Sequence, residues 1–585
     1  MARPLRVANC SGFYGDRVSA AREMVEGGPI DVLTGDWLAE LTMLILARSR
    51  ARSGVGYART FLTQMDEVLG TCVERGVRVV ANAGGLDPRG CAEAVRDLGA
   101  RLGLAVRVAY VDGDDLLGRL DELVAADGLR HFDTGEPFAD ASGFLSANAY
   151  FGCFGIVDAL RRGADVVVTG RVTDAALVCG PAAWHHGWAR DDFDRLAGAV
   201  VAGHVIECGA QVTGGNYSFF REVNGMDRVG FPWAEVFEDG SSVIGKHDGT
   251  GGEVSVGTVT SQLLYEIGGP AYLGPDVTTR FDTIELEQLG PDRVRVSGAR
   301  GEAPPASLKV AMNELGGFRQ DLTVALTGLD VDAKADLVES AFWRASPHSR
   351  DEFDSVVTHL ARTDKADPAT NEEAVALWRL TLKDRDEHKV DRAVANAVVE
   401  LALATVPGFF ILGSAPSGGS PYGVYRPATV ASSLVPQYVT VLGEETTVVD
   451  SVAPSAATAV TPRPGPRVAV PTGPTTRAPL GRVVGARSGD KGGDANVGVF
   501  ARSDEAWAWL DDFLSVDEFT RLLPETDGLA IERYRLPALR ALNFVVHGLL
   551  EEGVAASTRQ DAQAKGLGEW LRARVVEVPV SLVTT

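Results

Sequence analysis

The sequence has few basic residues for its size and few cysteines. Its 585 residues include 56 lysines and arginines against 79 aspartates and glutamates, a formal net charge of −23. Sequence-independent binding to nucleic acid requires a basic surface that displaces counterions, so this composition disfavours a DNA- or RNA-binding protein. The six cysteines fall within the first 208 residues and include no Cys-x-x-Cys pair. They are typical of reduced core thiols in a cytosolic protein.

Long apolar runs and familiar catalytic signatures are also missing. No stretch reaches 18 uninterrupted apolar residues, and the opening residues MARPLRVANCSG contain no apolar segment of signal-peptide type. We therefore expect a cytoplasmic protein without a membrane-spanning segment. The sequence has no Gly-x-Gly-x-x-Gly, Gly-x4-Gly-Lys-Ser/Thr, Gly-x-Ser-x-Gly or His-Glu-x-x-His. These absences disfavour a nicotinamide dehydrogenase, a P-loop NTPase, an α/β-hydrolase and a zincin.

The first 200 residues, within a predicted domain of residues 1–280, repeat a strand–helix pattern. The β-branched runs LRVANC, IDVLTG, VRVVANAGG, AVRVAYVDG and ADVVVTG are each followed by an amphipathic helical segment. This alternation predicts an α/β domain with a parallel sheet covered on both faces. Residues 281–452 mix strands and helices in a different order, which predicts a second α+β lobe.

A change in composition separates a C-terminal module, residues 479–585, from the rest. Residues 453–478 are rich in Pro, Ala and Thr, which predicts an extended linker. The module is predicted to contain strand 482–486, a glycine loop, strand 495–501, helix 504–514, strand 530–536 and helix 543–550, then more helix and a final strand. This mixture predicts a small ferredoxin-like α+β domain, so the whole chain falls in the α/β class.

The first candidate site follows from the parallel sheet. Ligands of such sheets bind where strands end and loops lead into helices. Small residues there admit a ligand close to the backbone, and charged side chains orient it. Helix capping, for which Asp and Asn are favoured, is the alternative at each position taken singly. The candidates at these strand ends are Gly12, Asp36, Asn82, Gly84, Gly85, Arg171 and Asp174.

The second candidate site is GHVIECGAQVTGGN, residues 203–216. His204 and Glu207 share a face if the segment is helical, and can form a general acid/base pair. Cys208 is a candidate nucleophile, with a buried structural thiol as the alternative. The turn Gly214-Gly215-Asn216 can offer N–H donors to an oxyanion. No ligand spacing requires a metal, and neither a metal nor a cofactor is predicted.

Two further glycine-rich segments carry basic residues. In residues 245–255, Lys246, Asp248 and Thr250 are candidates for binding a phosphate or a carboxylate, with a surface turn as the alternative. The segment GARSGDKGGDANVG, residues 485–498, is a candidate anion cradle. Its Arg487 and Lys491 are offset by Asp490 and Asp494, so we interpret it as an accessory contact. The candidate ligand-binding residues in this segment are Lys491, Gly492, Gly493 and Asn496.

Four glycine-rich blocks in a fixed order give a family resemblance. They are GRVTDAAL (170–177), GHVIECGAQVTGGN (203–216), KHDGTGGEVSVGTVTSQLLYEIGGPAYLGPDV (246–277) and GARSGDKGGDANVG (485–498). With them the chain resembles the acyclic terpene utilisation family of AtuA type over nearly its whole length. The resemblance implies a large α/β region followed by a ferredoxin-fold domain. It also implies a setting in the bacterial breakdown of acyclic terpenes such as citronellol and geraniol, beside a biotin-dependent geranyl-CoA carboxylase, an enoyl-CoA hydratase and acyl-CoA dehydrogenases.

Residues and resemblance together favour a catabolic enzyme of lyase or hydrolase type. Its expected substrate is a branched or carboxylated acyl-CoA, changed by hydration, hydrolysis or carbon–carbon cleavage. The alternative is a non-catalytic partner or scaffold of a biotin-dependent acyl-CoA carboxylase pathway. The expected partners are the small-molecule acyl-CoA or carboxylate and neighbouring carboxylase or hydratase enzymes, with no nucleic acid and no membrane. We also expect a homo-oligomer, because multi-lobed cytosolic proteins commonly assemble symmetrically.

Overall fold

The computed structural model describes residues 3–126, 128–140, 142–265, 267–413, 417–451 and 460–583, without the side chains of Glu40 and Leu41. The chain forms two compact units. The first comprises Met1–Asn313, Tyr425–Val554 and Asp561–Thr585, and the second comprises Glu314–Val424 and Ala555–Gln560. The first unit therefore contains both the α/β region and most of the C-terminal module.

The helices lie mainly in the first unit. Within the described residues none of them is long and apolar enough to cross a membrane. In chain order they are α1 (Ala20–Gly27), α2 (Glu40–Ser53), α3 (Arg59–Arg75), α4 (Pro88–Arg101), α5 (Leu120–Ala125), α6 (Phe154–Arg161), α7 (Ala176–His186), α8 (Phe193–Ile206), α9 (Val256–Leu263), α10 (Val331–Ala345), α11 (Arg392–Glu400), α12 (Asp504–Phe513), α13 (Val516–Leu522) and α14 (Leu567–Ala573).

The strands occur in both units. Up to residue 302 they are β1 (Leu5–Asn9), β2 (Val32–Gly35), β3 (Arg78–Ala81), β4 (Val108–Asp112), β5 (Leu129–His131), β6 (Phe144–Ala149), β7 (Val166–Thr169), β8 (Pro232–Val236), β9 (Ser242–Lys246), β10 (Ala271–Leu273), β11 (Thr278–Arg280), β12 (Glu285–Gly290), β13 (Arg293–Ser297) and β14 (Arg300–Glu302). Beyond it they are β15 (Ser307–Thr327), β16 (Ser355–Ala361), β17 (Val375–Asp384), β18 (Phe409–Ile411), β19 (Ser420–Tyr425), β20 (Ala428–Ala431), β21 (Gln437–Val441), β22 (Thr447–Val449), β23 (Thr475–Pro479), β24 (Val484–Lys491), β25 (Asp494–Ala501), β26 (Ile531–Leu536), β27 (Ala541–Val546) and β28 (Val575–Pro579).

An eleven-stranded sheet forms the frame of the first unit, in the order β12-β13-β9-β8-β1-β2-β3-β7-β4-β21-β22. The five central strands, β1, β2, β3, β7 and β4, are parallel, as the sequence predicts. The flanking strands pair antiparallel. Strands β12 and β13 fall in the segment predicted as a second lobe, yet they extend this sheet, because β13 pairs with the edge of β9.

Successive residues of the parallel strands enter two different cores. Val7 and Val32 pack with α6, α7 and α8 on one face. Ala8 and Leu33 pack with α1, α3 and α4 on the other. A sheet covered on both faces needs strands that are apolar throughout, which explains runs such as VVV in β7. The polar residues that follow these strands are thereby left at one edge of the sheet.

The second unit is a small antiparallel sheet with helices on one face. Residues 318–327 of β15 pair with β17, whose other edge pairs with β16, and β18 pairs with β15. Helices α10 and α11 pack on this sheet through Phe342 and Val398, against Trp378 of β17.

The C-terminal module starts at β23, and the preceding residues 460–474 have no regular secondary structure. Residues 453–459 of the predicted linker lie outside the described residues. The module contains an antiparallel sheet in the order β24-β25-β27-β26, with α12, α13 and α14 on one face.

Two local predictions for the module were wrong. The glycine-rich segment 485–498 is the hairpin β24–β25, and β27 begins at residue 541, where helix 543–550 was expected. The glycines reflect close packing: a Cβ on Gly498 would lie 2.5 Å from Leu264 Cβ. The run ALNFVV forms a strand because valine and phenylalanine fit a pleated surface.

The other face of the module's sheet packs on the residues that follow α9. Asn496 Nδ2 donates a hydrogen bond of 2.7 Å to the carbonyl of Leu264. Asn543 Nδ2 donates to the carbonyl of Ile267 at 3.0 Å. Both asparagines are fully buried, so this contact is a specific packed interface inside the first unit.

Candidate functional site

Polar residues from separate strands meet at the carboxyl edge of the parallel sheet. The Asp36 carboxylate, after β2, accepts hydrogen bonds from Asn82 Nδ2, after β3, and from the amide of Leu38. The amide of Asp36 donates to the carbonyl of Ser11, after β1, at 2.9 Å. We call this set, together with Gly12, Asp114, Arg171 and Asp174, the strand-end crevice.

Arg171, after β7, is the buried cation of the strand-end crevice. Its side chain is 2% exposed, and its guanidinium forms a 2.6 Å ion pair with Asp174, which is 27% exposed. The guanidinium also lies 4.2 Å from the centre of the Tyr150 ring. The charges of Arg171 and Asp174 both act on Asp36, so the three groups are close together, and Asp174 is the one most exposed to solvent.

Two carboxyl groups in the strand-end crevice have perturbed titration. Burial raises the pKa of Asp36 well above its ordinary value, and the charge of Asp174 adds to this, whereas Arg171, Asn82 and Leu38 lower it. Burial raises the pKa of Asp114, just beyond β4, to about 7, against hydrogen bonds from the Arg171 amide and Asn148. Carboxyl groups whose pKa values are raised by burial are suited to acid/base chemistry.

Gly12 connects the strand-end crevice to the segment after α8. A Cβ on Gly12 would lie 2.6 Å from the Cys208 carbonyl carbon, so only glycine permits this approach of two backbones. Asn9 Nδ2 also donates to the carbonyl of Glu207, at 3.2 Å. Cys208 is partly exposed, while the other five cysteines are buried.

His204 and Glu207 are close together, at the end of α8. His204 Nδ1 lies 3.3 Å from Glu207 Oε1, and the His204 side chain is 2% exposed. Its ring packs against Tyr272 and Phe281, with centroid distances of 5.4 and 5.3 Å. The pairing inferred from helical spacing exists, inside aromatic packing, and its acid/base role stays a prediction.

The predicted oxyanion turn uses its N–H groups internally. Gly214 N donates to the carbonyl of Gln211 at 3.1 Å, and Gly215 N donates to that of Ala210 at 2.9 Å. Asn216 is left-handed and its Nδ2 donates to Gln211 Oε1 at 3.4 Å. These contacts describe a closed turn.

The Lys246 loop is also internally paired. Lys246 Nζ lies 3.0 Å from Asp292 Oδ2 and donates to the carbonyl of Thr250 at 2.9 Å. The Thr250 hydroxyl donates to the carbonyl of His247, and Asp248 is exposed. The surface-turn interpretation accounts for all of these contacts.

Gly84 and Gly85 lie in the turn that leads into α4. There the Asp87 carboxylate accepts a 2.8 Å hydrogen bond from the amide of Gly90. Helix capping, the alternative considered from the sequence, therefore accounts for Asp87.

The C-terminal module reaches the segment after Cys208. Arg487 of β24 donates to Gln211 Oε1 and lies 4.3 Å from the centre of the Tyr265 ring. Lys565 Nζ lies 4.3 Å from the same ring centre and 3.8 Å from Asp490 Oδ1.

The turn of the hairpin, Gly492-Gly493, lies near the end of β19. Gly492 is left-handed, and a Cβ on it would approach the Tyr425 ring at 3.3 Å. Lys491 pairs with Asp494 in the strand register beside this turn.

Comparison with protein families identifies the chain. The model of the acyclic terpene utilisation family protein AtuA matches residues 5–441. The chain belongs to the AtuA family. A second model, the AtuA ferredoxin-like domain, matches residues 478–577, so the C-terminal module is a ferredoxin-like domain. No curated protein matches the chain. Membership of the AtuA family supports a role in acyclic terpene utilisation.

Other parts of this AtuA-family chain offer less chemistry. Among the described residues, no three His, Cys, Asp or Glu side chains are arranged to hold a metal ion. Two surface depressions lie elsewhere, one lined by Asp158, Arg161 and Trp188, the other by Glu26 and Arg75 where β2 and β3 begin. The strand-end crevice is preferred because perturbed pKa values concentrate at functional sites.

Sequence reasoning missed three residues of this region. Asp114 lies in VDGDD, just after β4. The sequence-based candidates came from the loops after other strands, and taking candidates from the loop after β4 as well would have found Asp114. Tyr265 and Lys565 had no local signal, because they meet only through the docking of the ferredoxin-like domain.

Proposed function

We propose that this AtuA-family chain is an enzyme that binds an acyl-CoA or a related carboxylate at the strand-end crevice and transfers protons there. The reaction class is hydration, hydrolysis or carbon–carbon cleavage next to a carbonyl group. One observation carries the proposal: the buried Asp36 carboxyl, whose pKa is raised well above its ordinary value, faces Asp174, which is ion-paired to the buried Arg171.

These groups divide into an acid, a base and an anion stabiliser. Burial raises the pKa of Asp36, which suits its carboxyl group to donate a proton, as a general acid does. Asp174, which forms a 2.6 Å ion pair with Arg171, is the candidate proton acceptor. The Arg171 charge stabilises negative charge that develops on a carbonyl oxygen. His204 and Glu207 are a second candidate pair for proton transfer beyond Gly12.

Arg487 and Lys565 supply positive charge for the rest of the substrate. The chain carries a net charge of −23, so two basic side chains on one tyrosine ring are a local exception. Both lie on the ferredoxin-like domain and face residues 208–211. They suit the phosphate or carboxylate groups of a CoA ester.

The test is turnover of CoA esters of acyclic terpenoid acids, followed by liquid chromatography and mass spectrometry. Asp36→Asn and Asp174→Asn should each lower kcat by about 100-fold or more, the usual contribution of a general acid or base. Asp97→Asn, at an exposed ion pair with Arg96, is the matched control and should keep the wild-type rate.

Three outcomes decide the proposal. Loss of turnover in the two crevice variants, with unchanged circular dichroism, supports it. Wild-type rates in both variants exclude the strand-end crevice as the reaction site. If the wild-type chain converts no ester and instead co-purifies stoichiometrically with carboxylase subunits, the scaffold alternative replaces it. Glu207→Gln, measured in the same assay, decides whether the His204–Glu207 pair takes part.

A further inference from the structure

Cys208 and Lys565 are far apart in the sequence and interact electrostatically where the ferredoxin-like domain docks. We propose that they form a nucleophile–base pair, in which Cys208 accepts an acyl group from a CoA thioester and Lys565 carries the proton. This inference rests on the proposed function, because it takes the same class of substrate.

Three side-chain contacts bring the two residues together. Arg487 donates to Gln211, three residues after Cys208. The Arg487 guanidinium and the Lys565 ammonium each lie 4.3 Å from the centre of the Tyr265 ring. Lys565 is consequently fixed beside the segment that starts at Cys208, and the two groups interact electrostatically.

Lys565 is chemically suited to exchange a proton with a thiol. Burial lowers the pKa of Lys565 to about 8, and the nearby Cys208 partly counteracts this. This value lies close to the reference pKa of a free thiol, about 8.5, so the Lys565 amine is a suitable base for a thiol. The Lys565 side chain is still 35% exposed, which leaves it within reach of a substrate.

Cys208 is the cysteine that a substrate can reach most readily. It is partly exposed, and Cys10, Cys72, Cys91, Cys153 and Cys179 are buried. Its backbone lies against Gly12, which places it at the border of the strand-end crevice.

The Cys208–Lys565 pair has charged neighbours of both signs. The Asp16 carboxylate accepts a 2.8 Å hydrogen bond from Gly12 N, and Glu207 precedes Cys208 directly. Asp490 lies 3.8 Å from Lys565 Nζ, and Arg487 shares its ring. Asp490 favours the ammonium form of Lys565, and the Arg487 cation on the same ring disfavours it.

The proposed step is a thioester exchange that balances without an oxidant or reductant. The Lys565 amine takes the proton of the Cys208 thiol. The thiolate then attacks the thioester carbonyl, a new carbon–sulfur bond forms to Cys208, and the bond to the CoA sulfur breaks. The CoA thiolate leaves with the proton from the Lys565 ammonium, and the acyl group remains on Cys208.

The first test needs no substrate. Iodoacetamide labelling of the native full chain, read by peptide mass spectrometry between pH 6 and 9, should modify Cys208 ahead of the other cysteines. Lys565→Met should slow this labelling at pH 7.5 by about tenfold, as expected if the thiol pKa rises by about one unit. Lys565→Arg should keep the fast labelling because it keeps the charge.

The control for this labelling is Lys365→Met, at an exposed ion pair with Glu373, which should have no effect. Equal labelling rates for wild type and both Lys565 variants would overturn the inference. The Lys565→Arg variant guards against misreading a folding defect as a chemical one.

The second test separates this inference from the proposed function. Intact-mass analysis after incubation with the CoA esters should show an acyl adduct on the wild-type chain and none on Cys208→Ser, and Lys565→Met should form the adduct more slowly than wild type. If Cys208→Ser keeps full turnover while Asp36→Asn loses it, the nucleophile–base pair is refuted and the crevice remains the reaction site. Adduct formation without net turnover would support the pair and contradict the proposed reaction class.

Discussion

Asp114→Asn gives a quantitative test of the electrostatics in the strand-end crevice. Burial raises the pKa of Asp114 from 3.8 to about 7. That difference of about 3 units corresponds to about 4 kcal/mol. Because the folded-state pKa is the higher one, the extra proton stabilises the native chain fully below about pH 4, and this stability is lost as the pH rises through 7. An asparagine keeps an acceptor oxygen for the Arg171 amide but has no proton to lose.

The variant should therefore gain stability relative to wild type as the pH increases. We expect the difference in Tm, Asp114→Asn minus wild type, to rise by a few degrees between pH 4.5 and 8. Scanning fluorimetry at several pH values measures it, with Tm used as a ranking because a chain of two units need not unfold in one step. Asp97→Asn, exposed at 69%, should show a difference that is the same at both pH values. If the Tm difference between Asp114→Asn and wild type stays constant or falls as the pH rises, the raised pKa assigned to Asp114 is refuted.

Three other substitutions test packing around the site. Arg171→Met should lower stability by about 2 kcal/mol, because Asp174 loses its partner yet keeps some solvent; a Tm equal to that of Arg96→Met would contradict this. Gly12→Ala should cost about 1–3 kcal/mol through overlap with the Cys208 backbone, whereas Gly70→Ala, in α3 with no atom within 4 Å of the new methyl, should raise the Tm by restricting the unfolded chain. Asn496→Ala should lower the free energy of unfolding by about 1–3 kcal/mol, because the Leu264 carbonyl loses its hydrogen-bond donor. Hydrogen exchange should then increase at Leu264, Tyr265, Ile267 and Gly268. Unchanged exchange would show that the docking of the ferredoxin-like domain does not depend on the Asn496–Leu264 hydrogen bond.

The grouping of the strand-end crevice residues could be predicted, because the rule that parallel strands present their following loops at one edge of the sheet needs only local sequence pattern. Parallel strands all finish at one edge of their sheet, so Asp36, Asn82 and Arg171 meet even though they come from separate βα units. Apolar runs with no alternation were enough to identify those strands.

Contacts between distant segments could not be predicted in the same way. The density of glycines in 485–498 suggested a loop, but Gly498 is required by the approach of Leu264 across an interface. The sequence around Gly498 gives no indication that Leu264 will lie against it, and the sequence around Leu264 gives none for Gly498. The position of Lys565 beside Cys208 depends on that same interface, and so does the pairing of Arg487 with Gln211.

The order of the strands in the sheet likewise could not be predicted from local sequence pattern. Strand β13 has the alternation of a half-buried strand, with Val294 and Val296 buried. That pattern predicts a strand without saying which edge it joins. Its pairing with β9 places it in the first unit.

The most direct test of the central claim is the structure of the chain bound to a non-hydrolysable analogue of an acyclic terpenoid acyl-CoA. The account predicts density for the carbonyl group within hydrogen-bond distance of Arg171 or Asp36, with the phosphates on the Arg487 and Lys565 side of the ferredoxin-like domain. Density confined to another surface, or an analogue that binds without contacting Arg171 or Asp36, would contradict it.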